Sequence, residues 1–252
     1  MKKFLSLLLG TMVITSALTD CNQKKTSSVS TDGSTSMQDV INILGEAYAE
    51  NHKDVKEGRC DIGLSGRALK EDEKAAGLEE TVLAYDGIAI IVHPDNPVTN
   101  LSTEQMAQIY KGEITNWKDV GEEDREIVAI GCEAGSGTRD GFETITGTKD
   151  SCKYRQELTS TGDVITTVSQ NPNAVGYASV AALKDSVKAL SVNNAVPSES
   201  TIKDGSYNVQ RPFVPVTMKD KKLSDTAQDF FNYITSDKAS ELISSAGIVP
   251  AN

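Results

Sequence analysis

Apolar and polar positions alternate along this chain in two periods, and the two periods take turns. Val40, Ile41, Leu44 and Tyr48 recur at helical spacing after the hydroxyl-rich run Gly33-Ser34-Thr35-Ser36, which predicts an amphipathic helix behind a capped turn. Ile88-Ala89-Ile90-Ile91-Val92 is a continuous apolar run ended by Pro94 and Pro97, the pattern of a strand buried on both faces. Ser102-Thr103-Glu104 opens a helix that reaches Tyr110 and stops at Gly112, with cap and acid at its start and glycine at its end. Val128-Ala129-Ile130 reads as a short strand, Thr161 to Ser169 as a helix and Ala174 to Tyr177 as a strand, while Leu223–Ile234 and Lys238–Ile243 form a helical end. Such alternation predicts an α/β fold, and no internal repeat is visible.

The N-terminus departs from this pattern. Met1-Lys2-Lys3 precedes an apolar run from Phe4 to Leu18, and Cys21 follows shortly after, the layout of an export signal. The run is too short for a comfortable membrane-spanning helix. Ending in Ala17-Leu18-Thr19-Asp20-Cys21, it resembles a bacterial lipoprotein signal in which Cys21 takes the lipid, although Asp20 stands where a small residue is usual. Residues 22–32 are polar and aperiodic and read as a tether between membrane and domain. The expected location is therefore extracytoplasmic, on the outer face of the cell membrane.

Composition narrows the function. With 36 acidic against 25 basic side chains the formal net charge is −11, so nucleic acid is a poor partner. Cys60, Cys132 and Cys152 stand apart from one another and from His52 and His93, so no metal site or cofactor is expected, and the cysteines read as unpaired although an oxidising exterior would permit one disulfide among them. No glycine motif for a nucleotide or a dinucleotide is present, and Gly63-Leu64-Ser65-Gly66-Arg67 lacks the spacing of a hydrolase nucleophile turn. An enzyme is not expected.

The chemistry concentrates in Ala134-Gly135-Ser136-Gly137-Thr138-Arg139-Asp140-Gly141-Phe142. Its glycines let backbone approach a ligand, its hydroxyls cap or donate, and Phe142 marks the buried face of the helix that follows. Free N–H groups and the positive end of the helix dipole favour an oxyanion there. Gly33-Ser34-Thr35-Ser36 repeats the design, and Asp61-Ile62-Gly63-Leu64-Ser65 adds a strand ending in a hydroxyl. Three such turns meeting across a crevice would wrap a tetrahedral anion in amides and hydroxyls.

In segment order, from about residue 32 to the C-terminus, the chain resembles the phosphate-binding lipoproteins of the phosphate ABC importer, a type II periplasmic solute-binding protein family. The pieces that carry the resemblance, besides the three turns, are Asp86-Gly87-Ile88-Ala89, Ile109-Tyr110-Lys111-Gly112-Glu113-Ile114-Thr115-Asn116-Trp117, Asn171 to Tyr177 and Arg211-Pro212-Phe213. The resemblance implies an α/β fold of two domains joined by two crossing hinge strands, near residues 88–92 and 212–216. Residues 1–21 would be the signal, 22–32 the tether, 33–90 with 213–252 domain I, and 91–212 domain II. It implies that Thr35, Ser36, Ser65, Gly135, Ser136, Gly137 and Thr138 contact inorganic phosphate, with Arg139 on the ligand or on a neighbouring acid, and that ABC importer permease subunits receive the cargo.

Three departures bear on affinity. The chain runs almost directly from Ala49 through residues 51–57 to the Asp61 strand, where the family has a further strand and loop. Cys132 stands where the family carries an arginine, and Gly66 where it carries Ser or Asp. A charge-assisted hydrogen bond is worth about 1.5–3 kcal/mol, roughly 10- to 150-fold in affinity, unless Arg67 or Arg139 substitutes. Glu133, Asp86 and Asp140 are the candidate acceptors for a phosphate proton. The alternatives are a binder of another oxyanion, sulfate or molybdate, and a degenerate relative with an impaired cleft acting as a surface interaction protein.

Overall fold

The computed structural model describes residues 29–33, 37, 40–45, 48 and 61–251; Cys21, the tether up to residue 28 and the 51–57 segment lie outside them. The strands, in chain order, are β1 (Thr31–Gly33), β2 (Ile62–Ser65), β3 (Leu78–Glu80), β4 (Ala84–Val92), β5 (Asn100–Leu101), β6 (Val128–Cys132), β7 (Gln156–Leu158), β8 (Ala174–Ser179), β9 (Lys188–Val192), β10 (Gln210–Met218) and β11 (Val249–Pro250). A first helix, α1, is described at positions 37, 40–45 and 48. The others are α2 (Glu71–Ala75), α3 (Thr103–Lys111), α4 (Gly137–Thr146), α5 (Thr161–Ser169), α6 (Glu199–Lys203), α7 (Asp225–Ile234) and α8 (Asp237–Ser245).

The strands join in one curled mixed sheet with the path β1-β2-β10-β4-β8-β6-β7. Its two nine-residue strands hold the architecture together. The first half of β4 pairs antiparallel with the first half of β10, Tyr85 opposite Pro212. Beyond Gly87, β4 changes partners and pairs with β8 and β9, while the second half of β10 pairs with β2 and β3. These are the two crossing strands of a two-domain periplasmic-binding-protein-like fold. β4 is buried from Asp86 to Val92, as its unbroken apolar run requires. Gly87 is needed at the crossover, because a Cβ there would stand 2.6 Å from Ile202 and 2.8 Å from Val180.

Two apolar cores flank the crossing. One gathers the centre of the chain around Ile88 to Val92, Tyr110, Trp117, Phe142, Val164, Val168 and Tyr177. The other gathers Met37, Val40, Ile41, Leu44 and Tyr48 of α1 with Ile62 and Leu64, and with Phe213, Phe230, Ile234 and Ile243 from the end of the chain. The helical periodicity read at residues 40–48 is thus the buried stripe of α1.

Local signals act as the sequence implied. Ser102 caps α3 by accepting from the Gln105 N–H, and Gly112 closes it at φ 70°. α5 runs over the residues read for it; the end helices start later and earlier than read, because Ser224 caps α7 and α8 begins at Asp237. Among the described residues no helix is long and apolar enough to cross a membrane.

Behind α4, Phe142 stacks on Tyr177 at 4.4 Å between ring centroids and meets Tyr110 edge-on at 4.6 Å. Phe142→Ala should therefore cost about 3–5 kcal/mol by leaving a cavity under the helix, read as a lowered urea midpoint with unchanged slope.

Candidate functional site

β6 ends at Cys132, and the chain turns sharply before α4. The Ser136 N–H donates to the Glu133 carbonyl at 3.2 Å, and Gly135 takes φ +91°, a conformation L side chains rarely adopt. Ser136 is the N-cap, its hydroxyl oxygen accepting from the Arg139 N–H at 3.4 Å. The same hydroxyl also hydrogen-bonds the Cys132 side chain, so it would meet a ligand by turning away from that sulfur. The N–H groups of Gly135 and Gly137 meet no acceptor among the described residues, as the first turn of a helix demands.

The opposite wall is the end of β2. A Cβ on Gly137 would lie 3.2 Å from both the Cα and the N of Gly66, so the helix start rests almost directly on the β2 loop. Gly33, at the end of β1, runs parallel to β2, with φ +141° and no room for a side chain against the Leu64 carbonyl. Together these walls enclose a cleft of about 470 Å³ lined by residues 64–67 and 133–137 with Gly33 and Thr159. It lies between the two cores, one wall from each.

Cations surround the cleft, yet each already has acids. The Arg67 guanidinium forms a fork on Glu73, with both Nη atoms at 2.8 Å, and its Nε donates to Asp140 at 2.9 Å. This fork holds the Glu73 carboxyl down at about 2, far below its ordinary 4.5. Arg139 donates through Nε to Glu143 at 2.7 Å and through Nη1 to the Cys132 carbonyl at 3.2 Å, reaches Glu157 at 3.1 Å, and stacks over the Tyr154 ring. Arg211 is buried on β10, donating to Asp86 through Nε and Nη2 and to the Gly66 carbonyl through Nη1. Burial pushes the Asp86 carboxyl up, against the Arg211 charge and the Ser179 hydroxyl. The same pressure raises the Cys132 thiol, which stays neutral.

Of the residues singled out from the sequence, Ser65, Gly135, Ser136 and Gly137 line the cleft. Thr138 is buried in the first turn of α4 rather than on the lining, and Arg139 is committed to its acids. Thr35 and Ser36 lie outside the described residues, although their neighbour Gly33 is on the wall. The Ser65 hydroxyl donates to the Arg67 carbonyl at 2.8 Å, so it meets a ligand as an acceptor or by rotating.

Among the three candidate proton acceptors, Asp86 is buried with Arg211 and Asp140 is held by Arg67, whereas Glu133 lines the cleft. Thr159 was not foreseen as a wall residue; its signal was the hydroxyl pair Thr159-Ser160 ahead of the α5 start. Arg211 was quoted only as part of a sequence match, and its role under the Gly66 loop depends on a contact 145 positions away in the chain. Among the described residues no group of three or more His, Cys, Asp or Glu is placed to hold a metal.

Residues 20–238 match the model of the PBP superfamily domain. The chain is 29% identical to the phosphate-binding protein PstS of Borreliella burgdorferi over 99% of both chains. Its fold superposes on a phosphate ABC transporter substrate-binding protein with bound phosphate from Clostridium perfringens with a TM-score of 0.85 at 34% identity, covering 90% of this chain and all of the other. It superposes likewise on an ABC-type phosphate transport receptor from Vibrio cholerae, with a TM-score of 0.73 at 33% identity, covering 89% of this chain and all of that one.

The ion pairs of the walls carry two tests. Glu73 has its carboxyl lowered in the folded state, so its contribution to stability is full above the unfolded value near 4.5 and is lost as pH falls toward 2. The acid-side fall of the urea midpoint over that window should be shallower in Glu73→Gln. Arg211→Met leaves Asp86 buried without its cation and should cost about 3–5 kcal/mol, measured by the same denaturation.

Proposed function

Since the chain belongs to the PBP superfamily, among relatives that are substrate-binding proteins of phosphate ABC transporters, we propose that it captures inorganic phosphate in the cleft between its two cores and delivers it to an ABC importer. The observation that carries this is the start of α4: the N–H groups of Gly135 and Gly137, which meet no acceptor among the described residues, open on the cleft beside the Ser136 hydroxyl, with Gly137 set close against the Gly66 backbone of the other wall. Donors fixed in that way suit a compact oxyanion and exclude a bulky one. Gly33 and the β2 end complete the enclosure, with Ser65, Thr35 and Ser36 contributing hydroxyls and Thr138 its place in the first helical turn. Arg139 serves as a brace for the 132–136 turn rather than a ligand contact, since its Nε is held by Glu143 and its Nη1 by Glu157 and the Cys132 carbonyl.

Residues 33–90 with 213–252 form one domain and 91–212 the other in this reading, closing on each other about β4 and β10. The export signal and Cys21 put the protein on the outer face of the membrane by a lipid anchor; the tether read at residues 22–32 ends short of that bound, because Thr31–Gly33 pair with β2 as β1. The role is binding and handover, with no covalent step.

Calorimetric titration of the purified chain with phosphate should show micromolar binding and little response to sulfate; silence with phosphate overturns the proposal. Ser136→Ala should weaken phosphate binding roughly 10-fold or more, since a hydrogen bond to a charged group is worth about 1.5–3 kcal/mol. Because Arg67, Arg139 and Arg211 are each neutralised by carboxylates, affinity should vary far less with NaCl than a site built on free cations would. Cys132→Arg should tighten binding and steepen that salt dependence.

A further inference from the structure

The Arg67–Asp140 pair joins the two sides of the cleft. Arg67 follows β2, whose Ile62 and Leu64 belong to the core built from the chain ends, whereas Asp140 lies on α4, whose Phe142 belongs to the central core. The Nε–Oδ2 distance is 2.9 Å, and Lys70 adds a second cation 3.9 Å from the same oxygen. Both partners are about three-quarters shielded, with side-chain exposures of 23% and 25%, so solvent screens the pair less than it would on an open surface. Asp140 is not on the lining of the cleft. The fork on Glu73 is different in kind, because Glu73 lies on α2, six residues from Arg67 on the same side. It keeps the guanidinium extended whether or not Asp140 is near.

We propose that Arg67 and Asp140 form a latch that holds the two domains shut without a ligand, and so sets the closed fraction of the empty protein and the rate at which a bound anion leaves. With Arg67 on the β2 side and Asp140 in the first turn of α4, the pair is a tie across the cleft in addition to the seating of the α4 start on Gly66. Apparent affinity scales with the fraction of molecules already in the binding-competent state. The part concerning the anion rests on the proposed phosphate site; the part concerning closure does not.

Small-angle scattering of the ligand-free full chain tests the latch directly. Asp140→Asn should expand the ligand-free protein while leaving the phosphate-saturated profile as in wild type, and stopped-flow release of phosphate should quicken about two- to fivefold, the range of a partly shielded ion pair. Glu73→Gln, which removes a partner on the same side as Arg67, should leave the ligand-free profile unchanged. Raising NaCl to about 1 M should expand the ligand-free wild type in the same direction, a measurement independent of whether the variant folds. An unchanged ligand-free profile in folded Asp140→Asn, or an equal expansion in Glu73→Gln, overturns the latch. If wild type binds no phosphate, the proposed function fails while the scattering arms still decide the latch.

Discussion

The approach of one backbone to another, Gly137 on Gly66 at the distance where a methyl group would already be crowded, is the constraint from which the rest of the site follows. Two walls from different cores meet there, and the absence of a side chain at Gly137 lets the helix start close on the β2 loop. The neighbouring strain has the same origin. Gly135 is in a left-handed conformation, and Gly33 leaves no room beside the Leu64 carbonyl. A side chain at Gly137 would press on the Gly66 backbone and one at Gly33 on the Leu64 carbonyl, whereas Gly135 is required by its positive φ.

At the proposed site recognition would rest on dipoles, because the charges nearby are engaged in structural pairs. Arg211 ties the hinge strand to the Gly66 loop while its charge is spent on Asp86. Arg139 ties the end of β6 to α4 and to β7. An acidic protein can hold an anion this way because fixed N–H groups act over a few ångströms, whereas the net charge is screened beyond roughly 8 Å. The neutral, buried Cys132 fits the same scheme: the position offers no charge, and its carbonyl oxygen is what Arg139 uses.

Much of this is legible in the sequence. The apolar run at 88–92, the helix from Ser102 to Gly112 and the glycine turn before Phe142 carry strong local signals: unbroken burial, a cap with a matching stop, and residues that suit positive φ. The share of the cleft formed by Ser65, Gly135, Ser136 and Gly137 came from the same local chemistry. The commitments of Arg67, Arg139 and Arg211 did not, since each depends on an acid or carbonyl brought near by the fold, and a guanidinium in sequence looks equally ready for a ligand or a carboxylate. Thr159 reached the wall through the parallel pairing of β7 with β6, so its hydroxyl is visible in the sequence but its place on the wall is not.

The division of the two cores along the chain has a consequence for how the protein is made. Met37, Leu44 and Ile62 emerge early, but Phe213, Phe230 and Ile243, against which they are buried, are among the last residues synthesised. The central core, by contrast, is assembled almost entirely from a continuous stretch between its two bounding strands. The nascent chain thus has the residues of its inner half first and carries its opening segment without its partners across the whole interval, a period in which an apolar stripe on α1 is left for holding factors to protect.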